Sequence, residues 1–289
     1  MARRIPLVSS IAGAALVVSA IAGASRADEP LAVSWKDNFL SIRGDKLPGE
    51  ITINYLEAYC RPGSTDRDWH ETVIGHKTEL VSTGVEGGNP VIKLKDTLRD
   101  GVVVEHTITA RPDEVDFRLS AHNPTKTVSQ ADWAQPCIRI DKFTGCDPKE
   151  SREVYPKYIR QCFLFLDGKL TRMPTEPWTL TARYTPGQVY APKHVDRNDV
   201  NPRPLSKLVP SSGLCGCFSA DGRQMMAIAW EPYQEVFQGV ATCLHNDFRV
   251  GGLKAGERKT IRGKLYIVPA DAEALVRRFE RDFPEQSRR

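Results

Sequence analysis

The sequence carries no P-loop, no dinucleotide-binding glycine fingerprint, no zinc motif and no G-x-S-x-G elbow, which removes the usual nucleotide and serine-hydrolase readings. It also lacks a dense basic stripe interleaved with aromatics. The formal net charge of +4 includes Arg3, Arg4 and the Arg288-Arg289 tail, so the body is nearly neutral and nucleic acid is not an implied partner. Beyond the N-terminal run described next, no apolar stretch is long enough to span a bilayer. No internal repeat, low-complexity linker or shift in composition divides the chain.

What is there begins with a three-part leader: basic Arg3 and Arg4, an apolar run over 5–24 rich in Ala, Val and Ile, and the small-residue ending Ser25-Arg26-Ala27. That layout predicts a signal peptide over 1–27, cleaved before Asp28, and hence an exported protein, periplasmic or secreted, with no membrane attachment afterwards. An uncleaved anchor is the alternative, because the run approaches spanning length. The remaining 28–289, about 262 residues, suffices for one domain with a sizeable core.

Apolar residues recur with period two far more often than with the helical period, which argues for strands half buried on one face. The clearest case is a hairpin over 102–122, where Val104, His106, Ile108 and Ala110 alternate with polar neighbours. The turn Arg111-Pro112-Asp113-Glu114 follows, and then Val115, Phe117, Leu119 and Ala121 alternate in their turn. Further strands are predicted at 35–43, 51–59, 91–95, 137–141, 161–165, 179–184, 213–219, 225–230, 239–244 and 260–268. Asp271 as N-cap, apolar Ala272, Leu275, Val276, Phe279 and Phe283, and the stop at Pro284 predict one helix that packs on a sheet. Together these describe an all-β antiparallel sandwich or barrel with one C-terminal helix. Long aperiodic segments of compact domains are usually loops over a site or flexible inserts, and the prolines of the stretch 174–210 predict an ordered loop.

Seven cysteines are an odd number, so at least one is free or pairs outside the chain. Cys137 and Cys146 flank a turn-like segment and are the best candidate bridge. Cys215-Gly216-Cys217 reads as small buried side chains rather than a metal pair. The run Asp196-Arg197-Asn198-Asp199-Val200-Asn201 fails the EF-hand pattern, with Val200 where an oxygen ligand belongs and Asn201 in place of the glycine. No cofactor and no metal is therefore expected.

From residue 101 onward the order of features resembles the galactose-mutarotase-like (aldose 1-epimerase-like) super-sandwich. An alternating strand leads to Ala121-His122-Asn123-Pro124-Thr125, Asp132-Trp133-Ala134-Gln135-Pro136 stands where epimerases carry a His-Pro pair, and Leu253-Lys254-Ala255-Gly256-Glu257 precedes the last strand. The resemblance covers about 100–268 and implies an antiparallel super-sandwich with a concave, sugar-facing sheet. It does not imply the epimerase proton-transfer pair. Gln135 occupies the apparent His position, and an amide does not exchange protons near neutral pH.

The candidate chemistry lies in three polar clusters. Trp230-Glu231-Pro232-Tyr233-Gln234-Glu235 joins acids and aromatics in a break after a strand, a combination suited to sugar rings. His245, Asp247 and Arg249 share one face of an extended chain, so one can orient the next. Glu57, Tyr59 and Arg61 give a strand a polar side. His76, His106 and His194 read as packing or surface residues. The expectation is a carbohydrate-active or carbohydrate-binding protein that takes carbohydrate or another hydroxyl-rich small molecule on one concave face. Glu231, His245 and Asp247 are its candidate catalytic groups, Glu231 or His245 transferring the proton. Glu57, Trp133, Gln135, Arg139, Trp230 and Arg249 are the candidate substrate contacts. The alternatives are a binding module without proton transfer and a structural or envelope protein whose polar clusters only hold loops.

Overall fold

A computed structural model describes residues 29–146, 157–176, 189–201, 204–239 and 242–286. The predicted signal peptide and the predicted strand at 179–184 lie outside these residues. Among the described residues, sixteen strands form two antiparallel sheets. Sheet A runs β1 (Ala32–Lys36), β2 (Phe39–Arg43), β3 (Ile51–Cys60), β9 (Trp133–Arg139), β15 (Cys243–Arg249), β14 (Tyr233–Gln238), with β4 (Val73–Ile74) beside β3. Sheet B runs β11 (Lys169–Arg172), β10 (Cys162–Leu166), β12 (Cys215–Phe218), β13 (Gln224–Glu231), β16 (Arg258–Pro269), β8 (Glu114–His122), β7 (Val103–Ala110), β6 (Asn89–Leu98), β5 (His76–Glu86).

The sheets stack through their apolar faces. Ile42, Ile53, Ile138, Leu244 and Phe248 of sheet A meet Val104, Ile108, Phe117, Ile228 and Leu265 of sheet B in one core. The period-two alternation read from the sequence is what places them there, because every second side chain of a strand points to the same face. Trp230 belongs to this core, its ring 5.2 Å from Phe117 and 4.8 Å from Phe248. A buried polar network sits within it: His106 Nδ1 lies 3.0 Å from the Tyr55 hydroxyl and Nε2 3.0 Å from Asp96 Oδ2, which also accepts from Tyr59 at 2.6 Å. His106 is thus the packing residue the sequence suggested.

The far face of sheet B is covered by the predicted helix, Ala272–Asp282, whose Leu275 and Phe279, with Phe283 after them, pack on Phe163, Phe165, Met225, Ala227 and Tyr266. Asp271 caps it by accepting from the Ala274 amide at 2.9 Å. Arg278 clamps it to the β7–β8 turn with bonds of 2.6 and 2.8 Å to Asp113 and 2.7 Å to Glu114.

Two strand predictions are corrected, and one strand is added. The run 35–43 is not one strand but the ends of β1 and β2, because Asp37 and Asn38 both take positive φ, 50° and 65°, and turn the chain back. Strand β5 was not anticipated, since its side chains are mostly solvent-facing and it lies at the edge of sheet B. Of the segment 239–244, Cys243 and Leu244 open β15, which runs on through Arg249.

Candidate functional site

Opposite the helix-covered side of the molecule, the outer face of sheet A is built from polar residues. Alternation along β15 turns Leu244, Asn246 and Phe248 inward and leaves Cys243, His245, Asp247 and Arg249 outward. Register arranges these in rows across the sheet. Arg249 pairs with Trp133 and Trp133 with Cys60; His245 pairs with Phe237, Cys137 and through it Asn54; Cys243 pairs with Arg139, which pairs with Thr52. Between these rows Glu235 stands directly opposite Asp247.

Pro136 shapes the middle of this face. Lacking an N–H, it cannot donate to a ladder, and proline inside a sheet is found at bulges or edges. Pairing between β9 and β15 stops after Cys137–His245 and resumes at Ala134–Phe248. On the other side, β3 bulges between Asn54 and Ala58, so three of its residues lie across from Pro136 alone. The bulge swings Glu57 outward, where its Oε2 accepts from Gln135 Nε2 at 2.8 Å and the carboxylate stays exposed. It also corrects the expectation that Glu57 and Tyr59 share a side, since Tyr59 faces the inter-sheet core.

The predicted loop is ordered where it is described and lies over part of this face. Val189, Ala191, Val195 and Val200 pack on Phe237. The Asn201 side chain donates to Gln135 Oε1 at 2.8 Å, and its backbone N–H meets both Glu235 oxygens at 3.0 Å. At one end Arg249 pairs with Asp132 at 3.0 Å and Asp199 at 3.3 Å and donates to Gln234 at 2.5 Å. Burial, together with the Asp132 carboxylate beside it, pushes the Asp199 carboxyl up to about 7 against the pull of Arg249. In the candidate calcium run, Asp196 caps the Asn198 amide and Asp199 binds Arg249, so both acids serve the loop itself.

At the other end lie two thiols and an imidazole. Cys243 Sγ is 3.4 Å from His245 Nε2, and His245 Nδ1 is 3.9 Å from Asp247 Oδ1. His245 stacks on Phe237 with ring centroids 4.4 Å apart. A hydrogen bond from Cys137 and the neighbouring His245 hold the Cys243 thiol well below its ordinary value against the effect of burial. His245 is 2 % exposed and Asp247 fully buried. None of the seven cysteines is in a disulfide; the expected Cys137–Cys146 bridge is absent because Cys137 faces outward toward Cys243 while Cys146 packs against the inter-sheet core.

Seven of the nine candidate residues, Glu57, Trp133, Gln135, Arg139, His245, Asp247 and Arg249, thus come from separate strands to one face. Trp133 is fully buried there beside Ala58 and Cys60, which withholds its ring from a ligand. Trp230 and Glu231 belong elsewhere. They end β13 in sheet B, and the chain crosses to sheet A only after Pro232, so the polar cluster read as one break is split between sheets. The Trp230 ring fills the core, and Glu231 accepts from Gln286 at 2.9 Å. Sequence reasoning missed Cys137, Cys243 and Asn201 as members of this face, and it placed Glu235 in a cluster with Trp230 and Glu231 rather than opposite Asp247. The i, i+2, i+4 pattern Cys243-His245-Asp247 was a usable signal for one of them.

The chain matches no protein-family model, and no curated protein matches it. Among solved structures, an α-N-acetylgalactosaminidase of Bifidobacterium bifidum, seen in complex with GalNAc, is 11% identical and superposes with a TM-score of 0.50; the match covers 91% of this chain and 39% of that one. A protein of Synechocystis sp. PCC 6803 is 10% identical over 84% of this chain and 97% of its own, with a TM-score of 0.43. A galactose mutarotase-like protein of Clostridium acetobutylicum is 11% identical over 67% of each chain, with a TM-score of 0.40. The likeness to the galactosaminidase is one of fold alone, an antiparallel two-sheet β-sandwich.

Proposed function

We propose that the protein is exported and binds carbohydrate on the outer face of sheet A, beside Glu57 and Arg139. The observation that supports this most is the bulge opposite Pro136, which holds an exposed carboxylate, oriented by Gln135, within electrostatic reach of a half-buried guanidinium. A sugar offers paired hydroxyl donors and acceptors, and a fixed acceptor beside a fixed donor is the complementary arrangement. The fold adds weight, since the galactosaminidase that shares it is described with a sugar bound.

Proton transfer is not assigned within this reading. Glu231 lies in sheet B, and His245 is beneath Phe237 with almost no exposed surface. Binding is the activity the exposed groups support.

The test is a saccharide panel read by ligand-observed NMR and thermal shift. Saturable binding of at least one sugar is expected, weakened at least tenfold by Glu57→Ala and by Arg139→Ala with the fold unchanged by circular dichroism. A panel with no saturable binder, or binding indifferent to both substitutions, would sink the proposal. Product assays on the bound sugar then decide between a binding module and an enzyme.

A further inference from the structure

The cluster at the Cys243 end of the same face points to chemistry that no local motif announces. We propose that Cys137, Cys243 and His245 form a three-ligand zinc site. This inference stands apart from the sugar reading and uses neither Glu57 nor a ligand.

The geometry comes from two adjacent strands. Cys137 on β9 is directly opposite His245 on β15, and Cys243 precedes His245 by two residues on the same face. Their ligand atoms all lie within 4.8 Å of one another, with Cys243 Sγ and His245 Nε2 at 3.4 Å. Zinc held by sulfur at about 2.3 Å and nitrogen at about 2.1 Å in a tetrahedron separates such atoms by roughly 3.6 Å. The three side chains therefore need little movement to converge on one ion.

Three further features fit this use. First, space is kept open by Gly239: a Cβ there would stand 2.2 Å from Cys243 Sγ and 3.0 Å from His245 Nε2, so any larger residue would intrude on both ligand atoms. Second, the imidazole is oriented as a metal ligand usually is. Its Nε2 faces the thiols, while buried Nδ1, which has no hydrogen-bond partner, points toward the Asp247 carboxylate 3.9 Å away. A carboxylate on the side of the second ring nitrogen favours the tautomer with its proton on Nδ1, which leaves Nε2 free to bind. Third, the charges balance, since two thiolates neutralise a divalent cation and the site carries no further acid among its ligands. Two thiolates and one imidazole are a borderline-soft set, which selects zinc over magnesium or calcium. The other cysteines lack this company: Cys162, Cys215 and Cys217 sit in the apolar inter-sheet core.

The experiment uses the full exported chain, purified under reducing conditions and stripped with a chelator. Titration with Co2+ should give thiolate-to-cobalt charge-transfer bands at one equivalent per chain, abolished by adding Zn2+. Cys137→Ser, Cys243→Ser and His245→Phe should each weaken binding at least tenfold, as should Gly239→Ala by blocking the space; Cys60→Ser should leave it unchanged. X-ray absorption of the zinc-loaded wild type should show two sulfur ligands, a readout that needs no variant. No charge-transfer bands in the reduced wild type, a first shell without sulfur, or a Cys137–Cys243 disulfide recovered from the exported protein would each overturn the site. Loss of sugar binding in Glu57→Ala with the cobalt spectrum intact would keep the two proposals separate.

Discussion

Two histidines are buried in this protein, and their surroundings differ in kind. His106, between the sheets, has a partner on each ring nitrogen, the Tyr55 hydroxyl on one and Asp96 on the other, and Tyr59 adds a third bond to the same carboxylate. His245, on the outer face of sheet A, has a thiol 3.4 Å from one nitrogen and no hydrogen-bond partner at the other. Buried polar groups are nearly always satisfied, because an unmade bond in a low-dielectric interior costs about 1–3 kcal/mol. The first cluster is therefore arranged for stability. In the second, the nitrogen that faces the thiols, Nε2, has only a soft sulfur neighbour, which suits it to hold a ligand rather than to brace the fold.

The same substitution at both positions tests that contrast. Phenylalanine preserves ring volume and removes the nitrogens. His106→Phe should cost about 3–5 kcal/mol, because it leaves the Asp96 carboxylate buried without its partner. Urea unfolding measures this, and a loss smaller than that of the His245 variant would reverse the assignment. Tyr59→Phe deletes one hydrogen bond to the same charged group and should cost about 1.5–3 kcal/mol. His245→Phe retains the stack on Phe237 and is expected to change stability by less than about 1.5 kcal/mol, while removing the cobalt spectrum.

The interior was far more legible in the sequence than the outer face. Strands such as β7 and β8 announce themselves by strict alternation, and the helix by its cap and apolar stripe, because burial on one side only leaves a periodic trace. Within sheet A, β9 and β14 are buried on both sides, so they carry little alternation of that kind, and in the sequence β14 reads as a break. The grouping of His245, Asp247 and Arg249 followed from one strand's period of two. The addition of Cys137 and Glu235 did not, since only the pairing of β9 and β14 with β15 brings them near, and pairing between distant segments leaves no local mark. Trp230 and Glu231 misled for the related reason that Pro232 marks a crossing between sheets, which in sequence looks like any other interruption.

The last contrast concerns pH, and here the two regions should respond with opposite sign. Burial would raise the Asp96 carboxyl, but His106 and the hydrogen bonds around it hold it below the ordinary value. Its contribution is therefore present above the ordinary carboxylate range and lost as pH falls through the lowered folded value. Asp199 on the outer face is pushed up to about 7, first by burial and then by Asp132, from an ordinary value of 3.8. Between those two values the folded chain keeps a proton that the unfolded chain has released, so each rise in pH through that window weakens the fold, and above it the penalty is complete. Asp199→Asn cannot titrate. Its melting temperature relative to wild type should climb as pH rises from about 4 to about 7 and then level off, because the variant escapes a penalty the wild type accumulates. Melts of both proteins across that range decide the point. A difference that stays flat would mean that Arg249, 3.3 Å from Asp199 and 3.0 Å from Asp132, neutralises both acids at once, and the outer face would then resemble the interior in its electrostatics after all.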